Sequence, residues 1–254
     1  MAVDAGLASI DWDAPWLAPW RETGERVAGQ AIAGLPLHEA LNQEPGAPLL
    51  FVPQRTLPLG MPYERYIFDS GSCPTRAGLH DFFNGICWLR LPLAKKRLNK
   101  LQAEQIAAAA VPAGQGGARG PVRDAITLFD ENGALLDAPA PLWQALVERD
   151  WTRLFVELRP LWQQARVLVF GHALLEKLVA PRSNLTAHVW RAQCPLHSIA
   201  AADAWLAGQL TVDRLADKPF TPLPVLGVPD WWPENQNFSF YDDSAVFRPR
   251  RPPS

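Results

Sequence analysis

The apolar positions of this chain fall into short periodic runs separated by prolines and glycines. From about Pro15 the pattern is helical, with Asp13 placed as N-cap and Gly34 as stop. "LLFVPQ", Leu49 to Gln54, is a short apolar run ended by proline and predicts a strand at a sheet edge. "TRAGLHDFFNGICWLRL" predicts a helix of about four turns, with Thr75 as N-cap and Pro92 as its brake. "LAKKRLNKLQAEQIAAAA" follows as a second helix, giving a helical pair bent at Pro92.

"VPAGQGGARGP", residues 111–121, is almost all small residues and breakers and predicts a flexible loop. Beyond it, "RDAITLFDENGALL" reads as a hairpin: Ile126 and Leu128 on one strand, Ala134 to Leu136 on the other, with Gly133 supplying a positive φ in the "DENG" turn. "APLWQALVERDWTRLFVELRPLWQQ" is helical to about Gln164. "ARVLVFGHALLEKLVAP" predicts a buried strand, a Gly-His turn and a short helix starting at or beside His172. "LTAHVWRA" alternates like a strand, and "IAAADAWLAGQL" is helical. Residues 219–254 have no sustained period. The expected fold is α+β: one integrated, helix-rich domain over 1–254, with a small sheet or hairpin and a Pro/Trp-rich irregular C-terminal wrap.

Composition sharpens two points. Proline, at 25 of 254 residues, is roughly double its usual share of about 5%, which predicts extended segments poor in ladder hydrogen bonds. The 11 tryptophans supply anchors for such segments, so the "WW" at Trp231 and Trp232 reads better as a tail anchor than as a ligand platform. The formal charge of -2 provides no general field for nucleic acid, which is disfavoured as a partner. Cys73, Cys87 and Cys194 form no CxxC pair or dense disulfide framework, and no run approaches the ~18 apolar residues of a membrane span. A cytoplasmic protein without a membrane partner is expected; oligomeric state is not legible.

Candidate chemistry centres on the helix after Thr75. Leu79, Phe82, Phe83, Ile86 and Cys87 share an apolar arc, while Arg76, His80 and Asn84 recur at i, i+4, i+8 along a flank with Asp81 further round. This polar stripe fits an active-site edge and a solvated surface equally well. Asp130 and Glu131 are candidate metal ligands or an acid/base pair, but "DENG" is also what a tight turn demands, and that reading is favoured. Arg123 and Asp124 fit substrate contact or a buried ion pair. His172 sits where an apolar strand meets a helix, a place that often faces a cleft, and a neutral imidazole there is a base or a metal ligand. Lys95 and Asn99 share one face of the following helix, with a solvated cationic face the favoured reading. There is no GxGxxG, Walker loop, HExxH or GxSxG, so a nucleotide cofactor is disfavoured and a divalent metal is the remaining cofactor candidate, its identity and ligands unknown.

The segments "FVPQRTLPLGMPYERYI", "PTRAGLHDFFNGICWLRLPLAKKRLNKLQAEQIA", "RGPVRDAITLFDENGALL", "FGHALLEKL" and "PLPVLGVPDWWPENQNFSFYDDSAVFRPR" together resemble a bacterial family known only as domain of unknown function 3025. The resemblance implies that Thr75, Arg76, His80, Asp81, Asn84, Lys95, Arg123, Asp124, Asp130, Glu131 and His172 match recurring polar positions. It brings no reaction. Histidine, carboxylate and cation together point to a hydrolase of a phosphate-bearing or other small anionic substrate. In that reading His80, Asp81, Asp124 and His172 are the catalytic candidates, and Thr75, Arg76, Asn84, Lys95 and Arg123 the substrate-binding ones. The alternative is a non-catalytic protein in which the same cluster recognises a ligand or partner, or braces the fold.

Overall fold

The structure, a computed structural model, describes residues 3–109 and 120–250, so the loop expected at 111–121 lies almost wholly outside the described residues. The chain opens with helices α1 (Val3–Ala8), α2 (Arg21–Ile32) and α3 (Leu37–Asn42). The helix expected from Pro15 is only a 3-10 turn over Pro15–Leu17 before α2 begins, and Gly34 closes the segment at a φ of 102°. β1 (Leu50–Pro53) pairs in parallel with β2 (Ser72–Thr75) across α4 (Tyr63–Ser70), forming a two-stranded sheet. Thr75 therefore belongs to a strand and is not the helix cap; its hydroxyl donates to the Cys73 carbonyl at 3.0 Å.

The helical pair bent at Pro92 is present as α5 (Leu79–Arg90) and α6 (Pro92–Ala109). Gly78 is the N-cap of α5 at a φ of 136°, a conformation open to glycine and strained for L side chains. Phe82, Phe83, Ile86 and Cys87 are fully buried; each of the large apolar side chains contributes about 1.5–3 kcal/mol of transfer free energy. Gly85 lets α3 lie close, since a Cβ there would come within 2.5 Å of Leu41 Cδ1. The start of α6 is capped from a distance by Asp203 of α10 (Ile199–Gln209), whose carboxylate accepts the backbone N–H groups of Leu93 and Ala94 at 3.0 and 2.7 Å.

The expected hairpin around "DENG" is overturned. Residues Pro121–Asn132 form a helix, α7, and only Gly133–Asp137 form a strand, β3. Val122, Ala125, Ile126 and Phe129 are the buried positions, spaced i, i+3, i+4, i+7, and Pro121 occupies the first turn where its missing N–H costs nothing. Helical period outweighed turn chemistry. Gly133 has a φ of −75°, so its glycine serves close approach: a Cβ would strike the Phe129 carbonyl and ring.

β3 is central in a four-stranded sheet of order β4-β3-β5-β6, built with β4 (Arg166–Val169), β5 (Thr186–Arg191) and β6 (Thr221–Pro224). It runs antiparallel to β4 and parallel to β5. α9 (His172–Lys177) follows β4 where the sequence placed it. Between β3 and β4 the chain forms α8 (Ala140–Glu148) and then, in place of a continuous helix to Gln164, a π turn at Arg153–Glu157 and a 3-10 stretch at Arg159–Gln164 around Pro160. α11 (Val212–Ala216) leads into β6. The C-terminal segment gains one strand and several 3-10 turns, pinned by aromatic stacking of Phe155 on Tyr241 at 5.0 Å and by the fully buried Asn235, whose amide donates to the carbonyls of Leu226 and Val228. Trp231 packs 6.0 Å from Trp16, the anchoring role expected of it. The buried apolar side chains of sheet and helices form one connected core.

Candidate metal centre

Two glycines bring the chemistry together. The Gly133 carbonyl accepts the N–H groups of both Phe170 and Gly171, at 2.9 and 2.8 Å. A Cβ on Gly171 would meet the Glu131 carbonyl at 2.5 Å and the Asn132 backbone at 2.6 Å. The "FGH" turn is thus pressed against the C-terminal end of α7, and His172 arrives beside Asp130 and Glu131. α5 approaches from the other side, with Cys87 Sγ donating to the Phe170 carbonyl at 3.3 Å. His80, near the start of α5, faces His172 in this way.

The two imidazoles meet edge to face, centroids 4.6 Å apart, with Nε2 to Nε2 at 3.2 Å. His80 Nδ1 lies 2.9 Å from Glu176 Oε2, so the carboxylate holds the His80 proton on Nδ1. His172 Nδ1 is buried, has no full hydrogen bond, and faces Asp130, whose Oδ2 is 3.6 Å away; that negative charge favours its proton on Nδ1 as well. Both Nε2 lone pairs then point into the same space. Glu131 Oε1 lies 3.7 Å from His172 Nε2, and ligand atoms of His80, Glu131 and His172 all lie within 4.8 Å of one another. Burial lowers the His172 pKa to about 4 against the pull of Asp130, so its imidazole is neutral at physiological pH. Burial, with the neighbouring Asp130 charge, raises that of Glu131.

Behind this cluster stands an ion pair whose Lys95 is buried and whose Asp130 is partly so. Lys95 Nζ is 2.6 Å from Asp130 Oδ1 and 5.5 Å from the Trp88 ring. Burial is the largest influence on each and opposes the charge, but the charges and hydrogen bonds around each group, led by its partner, together outweigh it: Lys95 is held above its ordinary range and Asp130 below. Lys95 is 3% exposed, not part of a solvated face, and its charge is committed to Asp130. Asn99 also turns inward, donating to the Glu64 backbone carbonyl at 2.8 Å and to its Oε2 at 2.7 Å. Glu64 titrates above the ordinary carboxylate range because it is buried and lies near Asp130. Its folded carboxyl therefore keeps a proton to higher pH than the unfolded chain does, and stability falls as pH rises through that interval. Glu64→Gln is expected to raise the melting temperature near pH 7 and to leave it unchanged near pH 4; equal shifts at both pH values would contradict this.

The stripe expected along the α5 flank dissolves into separate contacts. Arg76 precedes the helix, and its backbone N–H and guanidinium both bond to Asp81, with Arg76 Nη2 to Asp81 Oδ1 at 3.0 Å. Asp81 closes the first turn of α5 on Arg76 and lines the same shallow cavity as His80 and Glu176, outside the ligand cluster itself. Asn84 is buried and donates to the Tyr63 hydroxyl at 3.2 Å, itself 3.1 Å from Cys73 Sγ. Asp124 stands exposed in the first turn of α7, and the ligand cluster of His80, Glu131 and His172 does not include it. Arg123 lines a cavity described below. The structure thus joins His80 and His172 with Asp130 and Glu131, the pair for which the sequence favoured a turn over a ligand role, and adds Glu176. Glu176 was missed; its signal is the i, i+4 spacing from His172, which on α9 sets both on one side of the helix.

What this defines is an α+β protein carrying a two-histidine, one-carboxylate cluster at the junction of α5, α7 and α9. The chain belongs to the family described as Protein of unknown function (DUF3025), whose model matches residues 49–251 and so includes every residue of the cluster. No curated protein and no solved structure matches it. Among the described residues, no helix is long and apolar enough to cross a membrane.

Proposed function

We propose that the chain is a metal-dependent hydrolase of a small anionic substrate, holding one divalent ion on His80 Nε2, His172 Nε2 and Glu131. The observation that carries this reading is the 3.2 Å approach of two Nε2 atoms whose rings each turn Nδ1 toward a carboxylate. Two lone pairs at that distance repel unless a proton or a metal ion lies between them. Two nitrogens bound at about 2.0–2.1 Å to a tetrahedral ion stand about 3.3–3.4 Å apart, which matches. Glu176 and Asp130 are then the outer carboxylates that fix tautomer and ring orientation. Three protein ligands leave a position for water, which a bound ion acidifies toward neutral pH for attack on an acyl or phosphoryl centre. A shallow cavity of about 450 Å³ lined by Arg76, Gly78, His80 and Glu176 gives solvent access to that side. The three free thiols, Cys73, Cys87 and Cys194, favour a reducing, cytoplasmic setting for this chemistry.

Protein purified without chelator is expected to carry about one equivalent of a transition metal per chain, or to take it up from zinc or manganese solution. Metal-loaded protein should hydrolyse simple phosphoesters or amides, and chelated protein should not. No retained metal and no uptake would sink the metal reading, and leave a proton shared between His80 and His172 as the reason for their approach.

A further inference from the structure

A second cavity, about 280 Å³, opens between α4, α6 and α7 on the other side of Glu131. We propose that it is the anchoring pocket for the substrate: a small monocarboxylate bearing a hydrogen-bond donor, its carboxylate held by Arg123 and its reactive end at Glu131. For the reacting end this rests on the metal reading above; the anchor itself does not.

Continuity is the first observation. Glu131 lines the cavity and also belongs to the histidine cluster, and Asp130 lines it while facing His172, so the pocket and the proposed ion share a wall. The second is a pair of unmet polar atoms. Arg123 Nε and Gln102 Oε1 are buried without a hydrogen-bond partner among the described residues, and both side chains line this cavity. Gln102 is 7% exposed, with its amide nitrogen 3.4 Å from the Thr127 hydroxyl. Buried polar groups are nearly always satisfied in folded proteins, and these two side chains, which carry an orphan donor and an orphan acceptor, both line one cavity, so a guest that supplies one acceptor and one donor is the partner they lack.

Charge fixes which acceptor. Lys95 is committed to Asp130, which leaves Arg123 as the pocket cation with an unpartnered N–H. Glu64 also lines the pocket; its carboxyl is committed to the Asn99 amide, and burial raises its pKa. One guanidinium suits a monoanion better than a phosphate dianion, which draws on several cations or a helix N-terminus. Spacing fixes the shape. Arg123, Thr127, Asp130 and Glu131 stand at i, i+4, i+7 and i+8 on one side of α7, and the rise between first and last is about 12 Å. The ligand lies along the helix, extended. The volume sits at the small end of ligand sites, about 300–1,000 Å³, which excludes a polymer from the pocket itself.

The test uses the full chain, with calorimetry and three probes: N-acetyl-β-alanine, its methyl ester, and glycerol phosphate. N-acetyl-β-alanine is expected to bind with a Kd on the order of 1 mM or tighter, and Arg123→Gln and Gln102→Leu each to weaken it about 10–100-fold. Both variants should retain wild-type metal content and melting behaviour. Equal binding by wild type and Arg123→Gln, no binding by wild type, or equal affinity for the methyl ester overturns the anchor. Tighter binding of glycerol phosphate overturns the carboxylate assignment. Metal uptake without Arg123-dependent binding would leave the metal reading standing and this one fallen; Arg123-dependent binding without metal would do the reverse.

Discussion

Replacing His172 with alanine is expected to abolish metal retention and, with it, hydrolysis. His172 is buried, is neutral at physiological pH because burial holds its pKa near 4, and presents Nε2 to both His80 and Glu131. Losing it removes one of three protein ligands. Glu176→Gln removes only the outer carboxylate at 2.9 Å from His80 Nδ1 and is expected to cost about 10–100-fold in metal affinity. The rank order is the sharper expectation: His172→Ala must lose more than Glu176→Gln, and both should melt cooperatively. Competitive metal titration against a chromophoric chelator measures it. A His172→Ala protein that binds zinc as tightly as wild type would remove the histidine pair from the metal site.

The second large effect falls on stability. Lys95→Met is expected to destabilise the protein by about 3 kcal/mol, the low end for a buried pair, because it leaves the largely buried Asp130 carboxylate with its 2.6 Å partner gone. Against a total stability of about 5–15 kcal/mol this is a large fraction. Adding Asp130→Leu should recover most of the loss, since an apolar pair of similar volume replaces a buried ion pair at little or no cost. The double variant should nonetheless bind metal about 10–100-fold more weakly, because His172 Nδ1 has lost the carboxylate it faces. Urea titrations of wild type, single and double variants read the first effect, and the chelator competition reads the second. A Lys95→Met protein within about 0.5 kcal/mol of wild type would show that Asp130 is neutral or well hydrated.

Local order was readable wherever period and punctuation agreed. α5 and α6 meet at Pro92, β4 gives way to α9 at His172, and β5 alternates as its sequence does. α7 forms in place of the expected hairpin because the buried spacing of Val122, Ala125, Ile126 and Phe129 outweighs the local preference of the "DENG" residues for a turn. Polar residues were harder. His80 and Arg76 share a helical spacing, yet Arg76 lies before α5 and closes on Asp81, while His80 looks across to α9. Spacing places residues on a face only if the helix includes them all.

The sequence by itself determined the α+β class, most of its helices and strands, the anchoring of the tail by tryptophan, and the position of His172 at a strand-to-helix junction. These follow from short-range rules: side-chain period, proline and glycine conformations, and burial of apolar stripes. Only the tertiary structure decided that Glu131 and Glu176 join His80 and His172. His80 and Glu176 are 96 residues apart in sequence. The meeting of His172 with Glu131 depends in turn on the side-chain-free backbone contact between Gly171 and the last residues of α7, and no local pattern encodes which surface a glycine admits. The same packing turned Lys95 from an apparent surface cation into the buried counter-charge of Asp130, because a helix face is solvated or buried according to what the rest of the chain lays against it.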